Sequence, residues 1–143
     1  MSCPYFYPVE ALANAGPKCA LLPLGDAWGG VCRAVPELPW EPGPATLRPL
    51  CNLGYARGAC TRFPAGDGPD AVRFAISRND GESLLLRYVL ERDHLPFAHG
   101  TIEYSTGKGA FTGPGADELG EVAGRQARAY VDSYLRRSAE QTV

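Results

Sequence analysis

The sequence predicts an α+β protein in which an irregular, proline- and cysteine-rich N-terminal half is wrapped around a metal site, followed by a small antiparallel β-sheet and one long C-terminal helix. Three observations carry this. All five cysteines and ten of the thirteen prolines lie in residues 1–64. From Asp70 onward apolar residues alternate with a period of two, and an apolar stripe of helical period runs through Asp117–Arg137. With 143 residues the chain has the size of one domain, so we read 1–143 as a single domain with a metal-binding part (1–64) and a sheet-plus-helix part (70–137).

Proline fixes φ, removes a backbone donor and constrains the residue before it, so the N-terminal half is expected to lack long helices and central strands. With few ladders of its own, such a segment needs another source of order, and a cysteine-ligated metal supplies one. Val35–Pro44 (VPELPWEPGP) reads as an extended connector and Ala45–Tyr55 as holding a short helical turn. Val72, Phe74 and Ile76 then alternate with polar or small residues as a half-buried strand. Asn79-Asp80-Gly81 reads as a hairpin turn, because these residues tolerate positive φ. In the next strand Leu84, Leu86, Tyr88 and Leu90 share one face. A nine-residue loop, Arg92–Gly100, is expected to lead to a third strand, Thr101–Ser105, with Ile102 and Tyr104 inward. In the helix, Leu119, Val122, Ala123, Ala127, Tyr130 and Tyr134 form the stripe, acids in the first turn and arginines in the last suit the macrodipole, and Gly120 and Gly124 suggest close approach to the sheet.

Net charge is -2 and the basic residues are scattered, so the basic stripe that nucleic-acid binding requires is missing. No apolar run approaches the roughly 20 residues that span a bilayer. The start, MSCPYFYPVEAL, lacks a basic n-region, and a cytoplasmic address is expected. Reduced cysteines in that compartment point to metal binding or thiol chemistry rather than to a disulfide framework.

The cysteines are separated by 15, 12, 18 and 8 residues, with no C-x-x-C, which argues against a zinc ribbon or a thioredoxin-type pair. Wide spacing suits four thiolates converging on an iron–sulfur cluster. Cys3 precedes Pro4 and an aromatic triplet, Cys32 follows Gly29-Gly30, and Cys51 and Cys60 bracket a glycine-containing segment. Glycines let backbone amides approach cluster sulfurs. Those four form the ligand set of choice for a [4Fe-4S] cluster, with zinc as the alternative. Cys19, in an apolar run, reads as a small buried hydrophobe and stays a further candidate ligand with His94 and His99. The segments Cys3–Pro8 (CPYFYP), Pro23–Gly25 and Cys51–Ala56 (CNLGYA), with Glu91–His94 and His99-Gly100, resemble a family of uncharacterised small bacterial cysteine-containing proteins. The resemblance brings no activity. It implies Cys3, Cys32, Cys51 and Cys60 as the family's cysteines.

The acids and both histidines of Glu91–Gly100 suggest either a general base, with Asp93 orienting His94, or an ordinary polar loop. Gly25–Gly30 (GDAWGG) lacks the G-K-[ST] ending of a phosphate loop, and hydrolase, metalloprotease and dinucleotide signatures are missing. The functional expectation is electron transfer or redox sensing with an unknown protein or redox partner. The alternatives are a zinc-stabilised interaction module and a small enzyme using Cys51 or Cys60 with a histidine base.

Overall fold

The computed structural model describes residues 2–12, 23–24, 27–35, 37–52, 59–64, 68–113 and 115–141, with the side chains of 44, 48, 116, 117 and 139–141 outside that description. It is an α+β arrangement. Four strands, β3 (Ala71–Asn79), β4 (Ser83–Arg92), β5 (Leu95–Ser105) and β6 (Ala110–Thr112), form an antiparallel meander in sequence order. Two earlier strands, β1 (Phe6–Ala11) and β2 (Trp28–Cys32), make a separate antiparallel ribbon. A short helix α1 (Pro44–Thr46) runs into a π-helical turn over Leu47–Asn52, and α2 (Gly115–Glu118) and α3 (Glu121–Gln141) close the chain.

The period-two pattern places its residues as expected. Leu84 and Leu86 are fully buried, opposite Tyr104 and Ile102 of β5, and Val72 and Phe74 of β3 pair with Leu90 and Tyr88. At the β3–β4 turn Gly81 takes φ 89°, the Asn79 side chain accepts its amide, and Asp80 Oδ1 accepts the amides of Glu82 and Ser83. The expected nine-residue loop is instead a two-residue turn. Asp93 and His94 both have positive φ (53° and 64°), which matches a right-twisted hairpin, and β5 starts at Leu95. Two features hid it: Pro96, unable to donate, sits beside a register shift at Leu90/Glu91, and histidine is a less obvious left-handed residue than glycine. β6, with Tyr104 against Phe111 edge to face, extends the sheet by a fourth strand.

The C-terminal helix differs from expectation at both ends and in its faces. Gly120 adopts φ 86°, which only glycine takes without strain, so it separates α2 from α3. Nothing lies within 4 Å of where its Cβ would be, so backbone conformation rather than close approach explains it. α3 continues to Gln141, past Arg136 and Arg137. It also buries two faces, not one. The predicted stripe meets the sheet, with Tyr130 against Phe74 at 5.9 Å and Tyr134 accepting from Asn79. Gln126, Ala129 and Ser133, at helical spacing, are buried too, and Gln126 and Ser133 bond the N-terminal part.

That N-terminal part is more regular than its prolines suggest. Both strands of the ribbon are edges, so Pro8 is tolerated opposite Gly30, beside a register shift between Pro8 and Glu10. A Cβ on Gly30 would lie 2.1 Å from the Tyr7 carbonyl oxygen, so only glycine fits there. Ser2 bridges to Val72 through both backbone bonds, 2.8 and 3.0 Å, adding the start of the chain to the free edge of β3. The expected extended connector folds back, with the Leu38 amide bonding Val35 O.

Gln126 joins the two parts. Its Nε2 donates to Cys3 O and Phe6 O, both at 2.7 Å, and its Oε1 accepts from Ser2 Oγ at 2.7 Å. Replacing it by leucine takes a donor from the buried Phe6 carbonyl, a loss of about 1–3 kcal/mol, while Cys3 O keeps its bond from the Phe6 amide. Gln126→Leu is expected to lower the urea midpoint and to raise amide exchange in 2–11 ahead of the sheet. Equal protection in both segments would show that the latch contributes nothing local.

Candidate metal centre

Four pieces of chain that share no element bring the cysteines together. Cys3 follows the Ser2 bridge, its carbonyl is held by Gln126, and its amide donates to Cys51 O at 3.1 Å. Cys32 ends β2 opposite Phe6 and exchanges both backbone bonds with Trp40, at 2.6 and 3.2 Å. Cys51 lies in the π-helical turn, next to Asn52. That buried side chain accepts the Trp28 amide at 2.9 Å and donates to Trp28 O and Leu47 O at 3.0 Å, pinning the turn to β2. Cys60 opens a turn closed by Phe63 N to Cys60 O. Trp28 Nε1 in turn bonds Ser133 of α3, so the long helix supports this side as well.

All four thiols are free and line one cavity with Tyr5, Phe6, Trp40 and Phe63. The cavity measures about 10 Å³, at the lower bound for a single water. Among the described residues no three Cys, His, Asp or Glu side chains close to the spacing of one ion's ligands, so the thiols share a cavity rather than a point. Burial pushes Cys3 and Cys51 up to about 12, and the neighbouring cysteines push the same way. The amides of Tyr5 and Phe6 point at the Cys3 sulfur and oppose that rise by favouring the thiolate. Tyr5 packs edge-on to Phe63 at 5.3 Å, closing part of the wall.

The donor set is soft, suiting zinc, copper(I) or iron–sulfur clusters rather than magnesium or calcium. Arg62 lines the same cavity. It donates from Nη2 to Leu38 O at 2.8 Å and lies over the Trp40 ring at 5.0 Å. Its Nε is buried without a hydrogen-bond partner.

The other candidates lie elsewhere. His94 occupies the β4–β5 turn and His99 pairs with Val89 on β5; both are exposed and neither lines the cavity. Cys19 falls outside the described residues, as do Gly25 and Asp26. Sequence reasoning missed Arg62, Asn52 and Gln126. Asn52 could have been flagged, because it adjoins a candidate ligand and a buried amide tends to be fully bonded. Arg62 carried no local signal. Comparison with protein-family models, curated proteins and solved structures finds no match.

The raised thiols set a pH dependence. Between the ordinary thiol value of 9.0 and about 12, the unfolded chain releases protons that folded Cys3 and Cys51 retain. Stability of chelated, reduced protein is therefore full below pH 9 and falls as pH rises toward 12. Urea melts across that range check this, and a Cys3→Ala, Cys51→Ala double variant is expected to flatten the slope.

Proposed function

We propose that this chain is an iron–sulfur protein, holding a [4Fe-4S] cluster on Cys3, Cys32, Cys51 and Cys60 and serving electron transfer or redox sensing with a protein partner. The observation that carries the reading is the convergence of four thiols, from four separate segments, on one dry cavity walled by aromatic rings. Unligated, these thiols gain nothing from adjacency beyond packing, and the neighbouring cysteines add to the cost of ionising Cys3 and Cys51. Ligation reverses this, because a bound metal replaces the protons and neutralises the thiolates.

Amides directed at Cys3 are the kind of hydrogen bond that tunes a cluster. The thiol-enzyme alternative is less favoured, since a nucleophile needs a depressed pKa and Cys51 is pushed the other way. No helix among the described residues is long and apolar enough to cross a membrane.

Anaerobic purification is expected to give a brown protein absorbing near 400 nm with about four irons per chain. A colourless protein with one zinc per chain would sink the cluster reading and leave a structural site.

Metal binding free energy becomes folding free energy where the unfolded chain has no site. Cys32→Ser and Cys60→Ser are therefore expected to lose metal and several kcal/mol of stability in the N-terminal part, with β3–β5 less affected. Hydrogen exchange reads the difference. Full protection of residues 2–64 with unchanged metal content would remove these cysteines from the ligand set.

A further inference from the structure

We infer that Cys3 and Cys51 form a reversible disulfide in the metal-free chain, by exchange with a low-molecular-weight disulfide that enters at Cys60. The inference stands apart from the cluster reading, because it concerns the same thiols with no metal on them. The Cys3 amide donates to Cys51 O at 3.1 Å. Residues joined by such a backbone bond have Cα atoms about 5–6 Å apart, inside the roughly 4.4–6.8 Å that a disulfide spans. Both thiols are free, and both residues line the same cavity.

That cavity of about 10 Å³ leaves room for no more than one water between its walls, so little has to be displaced for two sulfurs to meet. Burial is what chiefly raises Cys51, and Cys3 comes first among the cysteines that raise it further, which puts the two sulfurs within electrostatic reach. The pair is also held from outside. Gln126 Nε2 bonds Cys3 O at 2.7 Å, and Asn52 ties the Cys51 turn to Trp28, so both backbones are in place before any cross-link forms. Cys3, Cys32 and Cys51 are buried, whereas Cys60 is half-buried and is the thiol among these four that a small reagent reaches.

With the oxidant written RSSR, Cys60 sulfur attacks one of its sulfurs, the S–S bond breaks, and a first RSH leaves with the Cys60 proton. Cys3 attacks the Cys60 sulfur of the mixed disulfide, and a second RSH leaves with the Cys3 proton. Cys51 then attacks the Cys3 sulfur, and Cys60 departs as a thiol with the Cys51 proton. The net change oxidises two thiols to one disulfide and reduces RSSR to two RSH. Thiolate is the nucleophile in each step, so the raised values of Cys3 and Cys51 slow the exchange near neutral pH, and the linkage is read at equilibrium.

The test uses the full chain, chelated and reduced, incubated without air in graded mixtures of oxidised and reduced glutathione until the cysteine pattern stops changing. Acid quenching and a non-reducing peptide map identify each linkage by mass. A cross-link between Cys3 and Cys51 is expected to exceed every other pair by about tenfold or more, to disappear with excess dithiol, and to raise the urea midpoint by restricting the unfolded chain. Cys60→Ser should give the same linkage about tenfold more slowly. A different dominant pair, one with Cys19 included, overturns the inference. So does a cross-link between chains, glutathione left on Cys60 with Cys3 and Cys51 free, or an unchanged rate in Cys60→Ser. Metal content of the chain as isolated is scored separately. A chain without iron that forms the linkage removes the cluster reading alone, and about four irons followed by the wrong linkage after chelation removes this inference alone.

Discussion

A single carboxamide on the long helix determines where the N-terminus of this chain lies. Gln126 is buried among apolar neighbours, where an unbonded amide would be costly, and its partners are Ser2, Cys3 and Phe6. Because those partners belong to the first residues of the chain, satisfying one side chain places Ser2 on the β3 edge, Cys3 at the cavity and Phe6 at the start of the ribbon. β1 then fixes β2, and β2 ends in Cys32. The helix thus organises the cysteines without contributing one of them. Asn52 repeats the device from the other side, coupling the Cys51 turn to the backbone of Trp28.

The polar latches matter because the site they assemble is electrostatically unfavourable in isolation. Burial and the neighbouring cysteines raise the pKa of Cys3 and Cys51, and the Arg62 guanidinium has a buried donor with nothing to bond.

What was legible in the sequence follows from which forces are local. The alternation at Val72–Ile76 and Leu84–Leu90 announces itself because one face of a sheet is buried and its period is two. Glycine and proline context singles out Cys3, Cys32, Cys51 and Cys60, which line one cavity, while Cys19 lies outside the described residues. The β1–β2 ribbon was not legible, because Pro8 and paired glycines argue against strands unless both strands are edges. Nor was the second buried face of α3: Gln126 and Ser133 look like solvent-facing positions, and only their distant partners, Cys3, Phe6 and Trp28, make them interior. The Asp93-His94 turn was obscured by chemistry that invites a functional reading, two titratable residues whose service here is conformational.

The same distribution of forces says how the two parts depend on each other. Leu84, Leu86, Ile102, Tyr104 and Val131 of the meander and α3 share one core with Phe6, Trp28 and Cys51 of the N-terminal part. The ribbon is only two strands, a size that is marginal alone in water, and it leans on α3 through hydrogen bonds to Gln126 and Ser133. Coupling through buried hydrogen bonds is sharper than coupling through apolar contact, because a displaced donor loses its partner outright whereas a displaced methyl group loses it gradually. Any change at the four thiols that moves Cys3 must therefore either carry Gln126 with it or break its bond to Cys3 O. The helix is thus placed to register a displacement of Cys3.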